Sequence, residues 1–541
     1  MHKLRDFASY GTLNAMPNVA DALKNLEQTT NSDLFINLGR WFADAGFELA
    51  LVGGPVRDAF LGRVSFDLDF TTNALPDQTL KILKGRTDGL WDIGKEFGTI
   101  GAKFGEMTVE ITTYRADAYE PDSRKPIVAF GDSLEVDLTR RDFTVNAMAL
   151  RLPEKVFVDP TNGLQDLLDA TLRTPIAPEI SFSDDPLRMM RAARFASQLG
   201  FLIEDATFAA MKAMTDRMSI ISAERVQVEL SKLLLGAHPR LGLEALVDSG
   251  LAAEVLPELP ALQLETDEHH HHKDVYEHTL TVVEQAIDYE RDYGLEGDLV
   301  LRLAALMHDV GKPATRNFEP GGAVSFYNHD LVGARITKKR LQALRFDKDT
   351  IKAVTHLIEL HLRFFGYTDQ AWSDSAVRRY VRDAGEQLHR LHALTRADVT
   401  TRNRRKAERL SHAYDDLELR IKEISEQEAL DAIRPDLNGQ EIAEILGVPP
   451  SPVIGSASKF LLEVRLDEGS IGKDEATARL LAWWQNRKPE LSIDEITETI
   501  ANTQNWAVSL ALAFLSELRA SEGILGVSEA QKRLLEWWQT R

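Results

Sequence analysis

The chain has no cysteine among its 541 residues. Disulfides, iron–sulfur clusters and thiolate zinc sites are thereby excluded. It also lacks any uninterrupted apolar run near the roughly 18 residues that a membrane-spanning helix needs. The opening Met1-His2-Lys3-Leu4-Arg5-Asp6 has no apolar core of the signal-peptide kind, so a cytoplasmic protein is expected. Positive charge is in short supply: 63 Lys and Arg face 84 Asp and Glu, a formal charge of −21. That balance argues against sequence-blind gripping of polyanions and requires any nucleic-acid surface to be local. Two candidates are Arg188, Arg191 and Arg194 at helical spacing, and the cluster Arg402, Arg404, Arg405 and Lys406. A solvated helix face accounts for the second cluster equally well.

The chain does have the composition of a globular protein, 44% hydrophobic and 27% charged, and a length that suggests about three or four domains. Residues 1 to about 45 read as an entry segment with one amphipathic helix. Alternating β-branched stretches then predict strands at Phe47–Val52, Ser65–Thr71, Thr99–Phe104 and Met107–Tyr114. From about residue 170 the pattern turns helical, as at Pro186–Leu199, Ala223–Leu235, Tyr276–Tyr289 and Leu299–His308. The acidic, His-rich stretch Glu265–Lys273 reads as a solvated loop between helical domains. Near the carboxyl end, Ala457–Arg487 and Ala511–Arg541 align without a gap at an offset of 54 residues. Each copy reads as two helices joined at a glycine, with Trp483-Trp484 matching Trp537-Trp538. These tryptophans are read as core in preference to an RNA-stacking platform.

Two motifs carry chemistry in the amino-terminal part. Leu51-Val52-Gly53-Gly54-Pro55-Val56-Arg57-Asp58 follows a strand and opens a short helix, where glycines let backbone amides approach phosphate oxygens. Asp67-Leu68-Asp69 comes 13 residues after Gly54, on the next strand. Residues i and i+2 of a strand share a face, so the two carboxylates converge. Their repulsion calls for a bridging cation, and hard oxygen donors suit Mg²⁺. Such a pair can activate a hydroxyl and stabilise departing pyrophosphate. Glu110, on a later strand, is either a third carboxylate or an ordinary exposed strand residue.

These residues, followed by Asp137-Leu138-Thr139-Arg140-Arg141-Asp142-Phe143-Thr144-Val145-Asn146-Ala147 and by Asp184-Asp185-Pro186-Leu187-Arg188 through Phe195, occur in a telling order. The stretch from about 45 to 240 resembles the class II CCA-adding enzyme and bacterial poly(A) polymerase family of polymerase-β-like nucleotidyltransferases. The resemblance implies that Asp67 and Asp69 hold Mg²⁺, with Gly53, Gly54 and Arg57 at the nucleotide phosphates. Arg141 and Asp142 then meet the triphosphate and ribose, with Arg191 and Arg194 also at the nucleotide. It further implies that Asp185 and Arg188 read the base. Cytosine and adenine place an amine donor beside a ring-nitrogen acceptor, which a carboxylate and a guanidinium match. Guanine and uracil would leave buried charges unpaired. At i and i+3, Asp185 and Arg188 are expected on one helix face. Asp184 stands where the family usually has Glu.

A second set of residues has a different character. His278, the doublet His308-Asp309, and Asp398 resemble the HD phosphohydrolase superfamily over about residues 265–410, with His329, His356 and His361 as ligands for a possible second metal. Imidazole with carboxylate suits Mn²⁺, Fe²⁺, Ni²⁺ or Zn²⁺. A bound metal lowers the pKa of its water for attack on phosphorus. The resemblance implies a phosphatase or 2′,3′-cyclic phosphodiesterase acting on RNA ends; a metal that only staples the fold is equally compatible.

The fold expected is α+β: a small mixed-sheet nucleotidyltransferase head over residues 1–170, then an all-α remainder. That remainder comprises a nucleotide-selecting, RNA-binding neck (171–262), an HD body (263–410) and a helical tail (411–541) with the repeat. The resemblance implies transfer of CMP and AMP from CTP and ATP to the tRNA 3′ end. A poly(A) polymerase or partial CCA adder uses the same motifs. An HD hydrolase with a non-catalytic nucleotide-binding head is the alternative from another class.

Overall fold

In the computed structural model the chain divides into two compact units, residues 1–359 and 360–541. The residues described are 24–27, 30–63, 67–92, 94–115, 130–263, 275–320, 324–367, 372–400, 403–428 and 434–540. The expected entry segment before residue 24, the start of the Ser65 strand, the Glu265–Lys273 loop and Arg402 lie outside them. Among the described residues, no helix is long and apolar enough to cross a membrane.

The first unit opens with a helix, α1 (Asp33–Asp44), that packs on one seven-stranded mixed sheet. Its strands are β1 (Leu49–Val52), β2 (Asp67–Thr72), β3 (Gly89–Trp91), β4 (Thr99–Phe104), β5 (Met107–Thr113), β6 (Ala149–Leu152) and β7 (Val156–Val158). They lie in the order β3-β4-β5-β2-β1-β6-β7, antiparallel throughout except for the β2–β5 pair. The head is therefore the mixed sheet expected, and Thr99–Phe104 is a strand over the residues expected for it. The short β3, β6 and β7 escape a periodicity argument because three or four residues hardly establish an alternation. Strand β1 is buried along its whole length, as a central strand covered on both faces must be. Between β1 and β2 lies α2 (Gly54–Phe60), and α3 (Pro76–Leu83) and α4 (Leu134–Thr139) complete the part used below.

Helices follow: α5 (Pro178–Asp184), α6 (Leu187–Leu199), α7 (Ala223–Leu234), α8 (Pro239–Ser249), α9 (Val275–Glu290), α10 (Leu299–Met307), α11 (His329–Ala343) and α12 (Lys348–Leu360). Helix α6 packs against α7 and α8. The approach is close because Gly242 has no side chain: a Cβ there would sit 2.6 Å from the Ala193 carbonyl. A buried ion pair ties the later helices to α7. Arg302 of α10 donates to both Glu290 oxygens (2.6 and 2.8 Å) and to the Leu234 and Gly236 carbonyls at the end of α7 (2.6 and 2.9 Å). Those carbonyls are the orphan acceptors of a helix end, and Arg302 satisfies them.

The second unit contains α13 (Asp374–Ala384), α14 (Leu388–Ala397) and α15 (Arg404–Glu428), then the repeat. Each copy contains the two helices expected, joined at a glycine, and a further helix precedes each pair, so the repeat is longer than the aligned stretches. The first copy is α16 (Gly439–Leu446), α17 (Pro452–Glu468) and α18 (Gly472–Gln485). The second is α19 (Ile493–Ile500), α20 (Asn505–Glu522) and α21 (Val527–Gln539). The preceding helix is short; it repeats in its buried positions, Ile442 with Ile496 and Leu446 with Ile500, and in its capping. Asn438 with Glu441 and Ser492 with Glu495 are capping boxes 54 residues apart. Ion pairs repeat at the same offset, Arg465–Asp436 with Arg519–Glu490 and Arg479–Glu468 with Arg533–Glu522. Both copies share one core, which runs from Leu437 to Leu534 and includes Trp484. Trp483, Trp537 and Trp538 pack against it half-buried.

Candidate active sites

Strand β2 alternates cleanly at its start. Leu68 and Phe70 are buried, so Asp67 and Asp69 face outward together. The parallel ladder sets Glu110 of β5 level with Asp69, which brings a third carboxylate to the same face. The Asp69 carboxyl is raised above its ordinary range. Partial desolvation is the main cause; Arg141 opposes the rise, and the charges of Glu110 and Asp67 add to it. Three carboxylates converging on one face, with the charges of two raising the third, form a fitting cradle for a hard divalent cation.

Arg141, in the loop after α4, faces this cradle. Asp137, buried on α4, takes Arg140 Nη2 at 3.0 Å and Arg141 Nη2 at 3.3 Å. Burial works against its ionisation, but the two guanidinium groups overcome this and hold it below its usual value. Gly53 has φ +71, a left-handed conformation that favours glycine, and a Cβ there would meet Arg141 Nη1 at 3.0 Å. The Gly53-Gly54 turn is thus needed both for its backbone and for room beside Arg141. Arg57 is turned inward, 8% exposed. It donates to Asn146 Oδ1 (2.6 Å) and to Asp58 Oδ1 (3.0 Å).

Asp142 is the hub of a buried network. Its Oδ1 accepts from the Phe143 amide (2.8 Å) and Asn146 Nδ2 (2.9 Å), and its Oδ2 accepts from Arg191 Nε (2.8 Å) and Nη2. Burial again opposes the charge, and Arg191 and Asn146 hold the carboxyl well below the usual range. Glu229 of α7 completes the network with Arg194 (3.1 Å) and Arg191 (3.6 Å). The guanidinium groups of Arg57, Arg191 and Arg194 lie 5.3, 5.4 and 4.2 Å from the Phe195 ring centroid. Burial and Arg191 depress the Arg194 guanidinium to about 10.

Asp185 and Arg188 do not share a helix face, contrary to expectation. Asp185 is extended (φ −143°, ψ 100°), in the break between α5 and α6. The cause is Pro186, which disfavours helical geometry in the residue before it. Asp185 Oδ1 accepts from the Leu187 amide (3.2 Å), and Oδ2 accepts from Arg225 Nη2 on α7 (2.9 Å). Arg188 is buried and donates to Ser181 Oγ (2.8 Å) and to the Arg140 carbonyl (2.7 Å). The two still meet in space. One cavity of about 340 Å³ is lined by Asp69, Arg141, Asp142, Asp185, Arg188 and Arg191 together with Arg225. Sequence reasoning missed Ser181, Asp137, Arg225 and Glu229, which hold the chosen residues. Arg225 and Glu229, four apart on a capped amphipathic helix, were the one available signal.

A second cluster lies in the same unit. Asp309 Oδ2 is 2.6 Å from Lys312 Nζ, 3.3 Å from His308 Nε2 and 3.5 Å from His278 Nε2, and its Oδ1 is 3.4 Å from His329 Nε2. The Nδ1 atoms of His308 and His329 each lie 2.8 Å from a backbone carbonyl, of Ala305 and Phe326. With those carbonyls taking the Nδ1 protons, both rings would offer Nε2 to an ion bound at Asp309, the arrangement of a metal centre with its supporting hydrogen bonds. Burial raises Asp309, and His308 and Lys312 more than offset it, so the carboxyl sits well below its usual range. His329 thus joins the doublet. His356 lies half-buried on α12. In the second unit, His361 is buried just after α12 and Asp398 follows the last turn of α14.

Residues 49–173 match the family described as the poly A polymerase head domain. Residues 200–262 match the probable RNA and SrmB-binding site of polymerase A, and residues 275–403 match the HD domain. The A-adding tRNA nucleotidyltransferase of Deinococcus radiodurans is 34% identical over 448 residues, 81% of this chain and 96% of that protein. The CC-adding tRNA nucleotidyltransferase of Thermus thermophilus is 33% identical over 452 residues, 82% and 95%. The structure of the Bacillus stearothermophilus CCA-adding enzyme in complex with CTP superposes with a TM-score of 0.57. It covers 84% of this chain and 97% of that one at 23% identity, which establishes a shared fold.

Proposed function

The chain belongs to the CCA-adding enzyme and poly(A) polymerase family of nucleotidyltransferases, and from that premise we propose that it builds the CCA end of tRNA in the cytoplasm from CTP and ATP. The observation that carries this reading is the single cavity that brings Asp69 together with Arg141, Asp142, Asp185 and Arg188. The domain limits adopted are those expected from the sequence: head 1–170, neck 171–262, HD body 263–410 and tail 411–541.

We assign Asp67 and Asp69, with Glu110 beside them, to hold Mg²⁺. When bound, the ion supplies charge that lowers the barrier to deprotonating the RNA 3′ hydroxyl and to releasing pyrophosphate. Arg141, steadied by Asp137, faces the triphosphate, and the Gly53-Gly54 turn leaves it room. Asp142 orients Arg191 beside the ribose and phosphates, while Arg57 and Arg194 brace Phe195 behind them. Asp185 accepts from the exocyclic amine of C or A, and Arg188 donates to the neighbouring ring nitrogen. Both groups are anchored before a nucleotide arrives, and such preorganisation is what gives a hydrogen-bonding pocket its power to reject.

The His278, His308, Asp309 and His329 cluster is assigned as a metal-dependent phosphohydrolase centre acting on RNA ends. A transition metal there would activate water, and the donor set fits Mn²⁺, Fe²⁺, Ni²⁺ or Zn²⁺. A second reading of the main activity, a partial adder, is favoured by the names of the two full-length relatives, one A-adding and the other CC-adding. The test offers tRNAs ending before CCA, after one C and after CC, with Mg²⁺ and CTP, ATP or both. Two C residues followed by one A establish complete addition. A alone on the CC-ending tRNA, or two C residues with no A, establishes the partial adder. Long A tails from ATP make it a poly(A) polymerase.

A further inference from the structure

A short hairpin, Asn317–Phe318 paired with Val324–Ser325, lies between two members of the histidine cluster, with Lys312 before it and His329 after it. Its two faces differ. On one, Glu319 Oε1 accepts from Asn317 Nδ2 (3.1 Å) and Ser325 Oγ (2.7 Å), so these polar groups satisfy one another. On the other, the Lys312 ammonium lies 5.7 Å from the Phe326 ring centroid, and the Arg316 guanidinium 4.8 Å from that of Phe318. Lys312 Nζ is at the same time 2.6 Å from Asp309 Oδ2. Two cation–ring pairs therefore flank the hairpin: Lys312 with Phe326 beside Asp309, and Arg316 with Phe318 on its first strand. The Phe318 ring is 65% exposed.

A single exposed phenyl ring is ordinary. A ring backed by a guanidinium, on a hairpin whose return strand leads to a second cation–ring pair beside a metal-ligand cluster, has a use. Cations paired with flat rings suit a ligand with negative charge and π-faces together, which is single-stranded nucleic acid. An acidic peptide offers the charge without the flat faces. Against the chain's net charge of −21, which disfavours polyanions in general, local cations of this kind are the more selective. We propose that this hairpin is a stacking arm for the 3′-terminal nucleotide of a single-stranded RNA end, with the base on Phe318 and the terminal phosphate towards Lys312. It rests on the reading of the adjoining cluster as a hydrolytic centre for RNA ends, and assigns that centre its substrate-binding surface.

The test uses the full chain and a short single-stranded RNA that ends in 2-aminopurine with a 3′ phosphate, in EDTA so that nothing turns over. Stacking quenches the fluorophore. Wild type should quench it; Phe318→Ala should lose the quench and weaken binding at least about fivefold, the effect of one stacked base. Phe318→Trp should restore both, and nucleotide addition to tRNA should be unchanged in either variant. Phe318→Ala with wild-type quenching and affinity within twofold overturns the arm. Cobalt(II) titration of the wild type, read by its visible absorption, reports on the histidine cluster separately. No cobalt band together with a Phe318-dependent quench retires the hydrolase reading and keeps the RNA arm. A cobalt band with a Phe318-independent quench does the reverse.

Discussion

Ser181 offers the sharpest test of how nucleotide selection works, because it touches no nucleotide in the proposed scheme and acts only through Arg188. Its hydroxyl, fully buried, accepts from Arg188 Nη1 at 2.8 Å. Ser181→Ala removes one charge-assisted hydrogen bond, worth about 1.5–3 kcal/mol in a buried setting. The guanidinium keeps the Arg140 carbonyl at 2.7 Å and the Ser181 carbonyl at 3.4 Å, so the lower part of that range applies. About 1.4 kcal/mol corresponds to a tenfold loss in the preference for C and A over U and G. The assay is single-nucleotide incorporation with CTP, ATP, UTP and GTP in turn, scored as ratios of kcat/KM. Ratios cancel any loss of folded protein, which a purely structural role would produce. An unchanged ratio, with activity lowered equally for all four nucleotides, refutes the idea that Ser181 positions a base-reading arginine.

Four further outcomes are expected. Asp67→Ala with Asp69→Ala should abolish nucleotide addition and leave cobalt binding at the histidine cluster intact; loss of both would break the two-centre scheme. Arg302→Met strands Glu290, which is 3% exposed, and should cost about 3–5 kcal/mol in denaturant unfolding of the first unit, with Arg302→Met plus Glu290→Leu recovering a substantial part. Asp142 has a folded-state pKa depressed by Arg191 and Asn146 against its burial, so it stabilises the fold fully above its unfolded value near 3.9 and progressively less as pH falls through the folded value. The stability gap between wild type and Asp142→Asn should therefore be constant above about pH 5 and shrink below about pH 4, as measured by melting across that range; a gap that widens in acid contradicts the assignment. Deleting residues 488–541 removes half of a shared core and the Ser509 Oγ to Pro450 carbonyl bond (2.7 Å), so limited proteolysis should then cut within the remaining copy.

Much of the chemistry was legible in one dimension because it rests on short-range geometry. An Asp-x-Asp on a strand shares a face by the period of the pleat alone, and β2 displays Asp67 and Asp69 as the pattern requires. The ordered motifs up to Phe195 and the His308-Asp309 doublet were read in the same way, as was the division into a mixed sheet and a long helical remainder. The periodicities of 2 and 3.6 are local properties of the backbone, which is why most expected elements agree with those observed to within one or two residues.

What pairing and packing decide was not legible. The level of Glu110 with Asp69 depends on a parallel ladder between strands some 40 residues apart. The i, i+3 argument for Asp185 and Arg188 failed because Pro186 breaks the helix between α5 and α6; the pair is instead held from outside, by Arg225 on α7, Ser181 on α5 and the Arg140 carbonyl. The helix ahead of each repeated pair went unread because it is only eight residues long and its cap differs in residue type, Asn438 in one copy and Ser492 in the other, although its buried positions match. By itself the sequence determined which groups are present and which neighbours along an element share a face. Only the tertiary structure decided which carboxylate meets which arginine across the fold, because hydrogen bonds between distant segments depend on register and packing that no local period encodes.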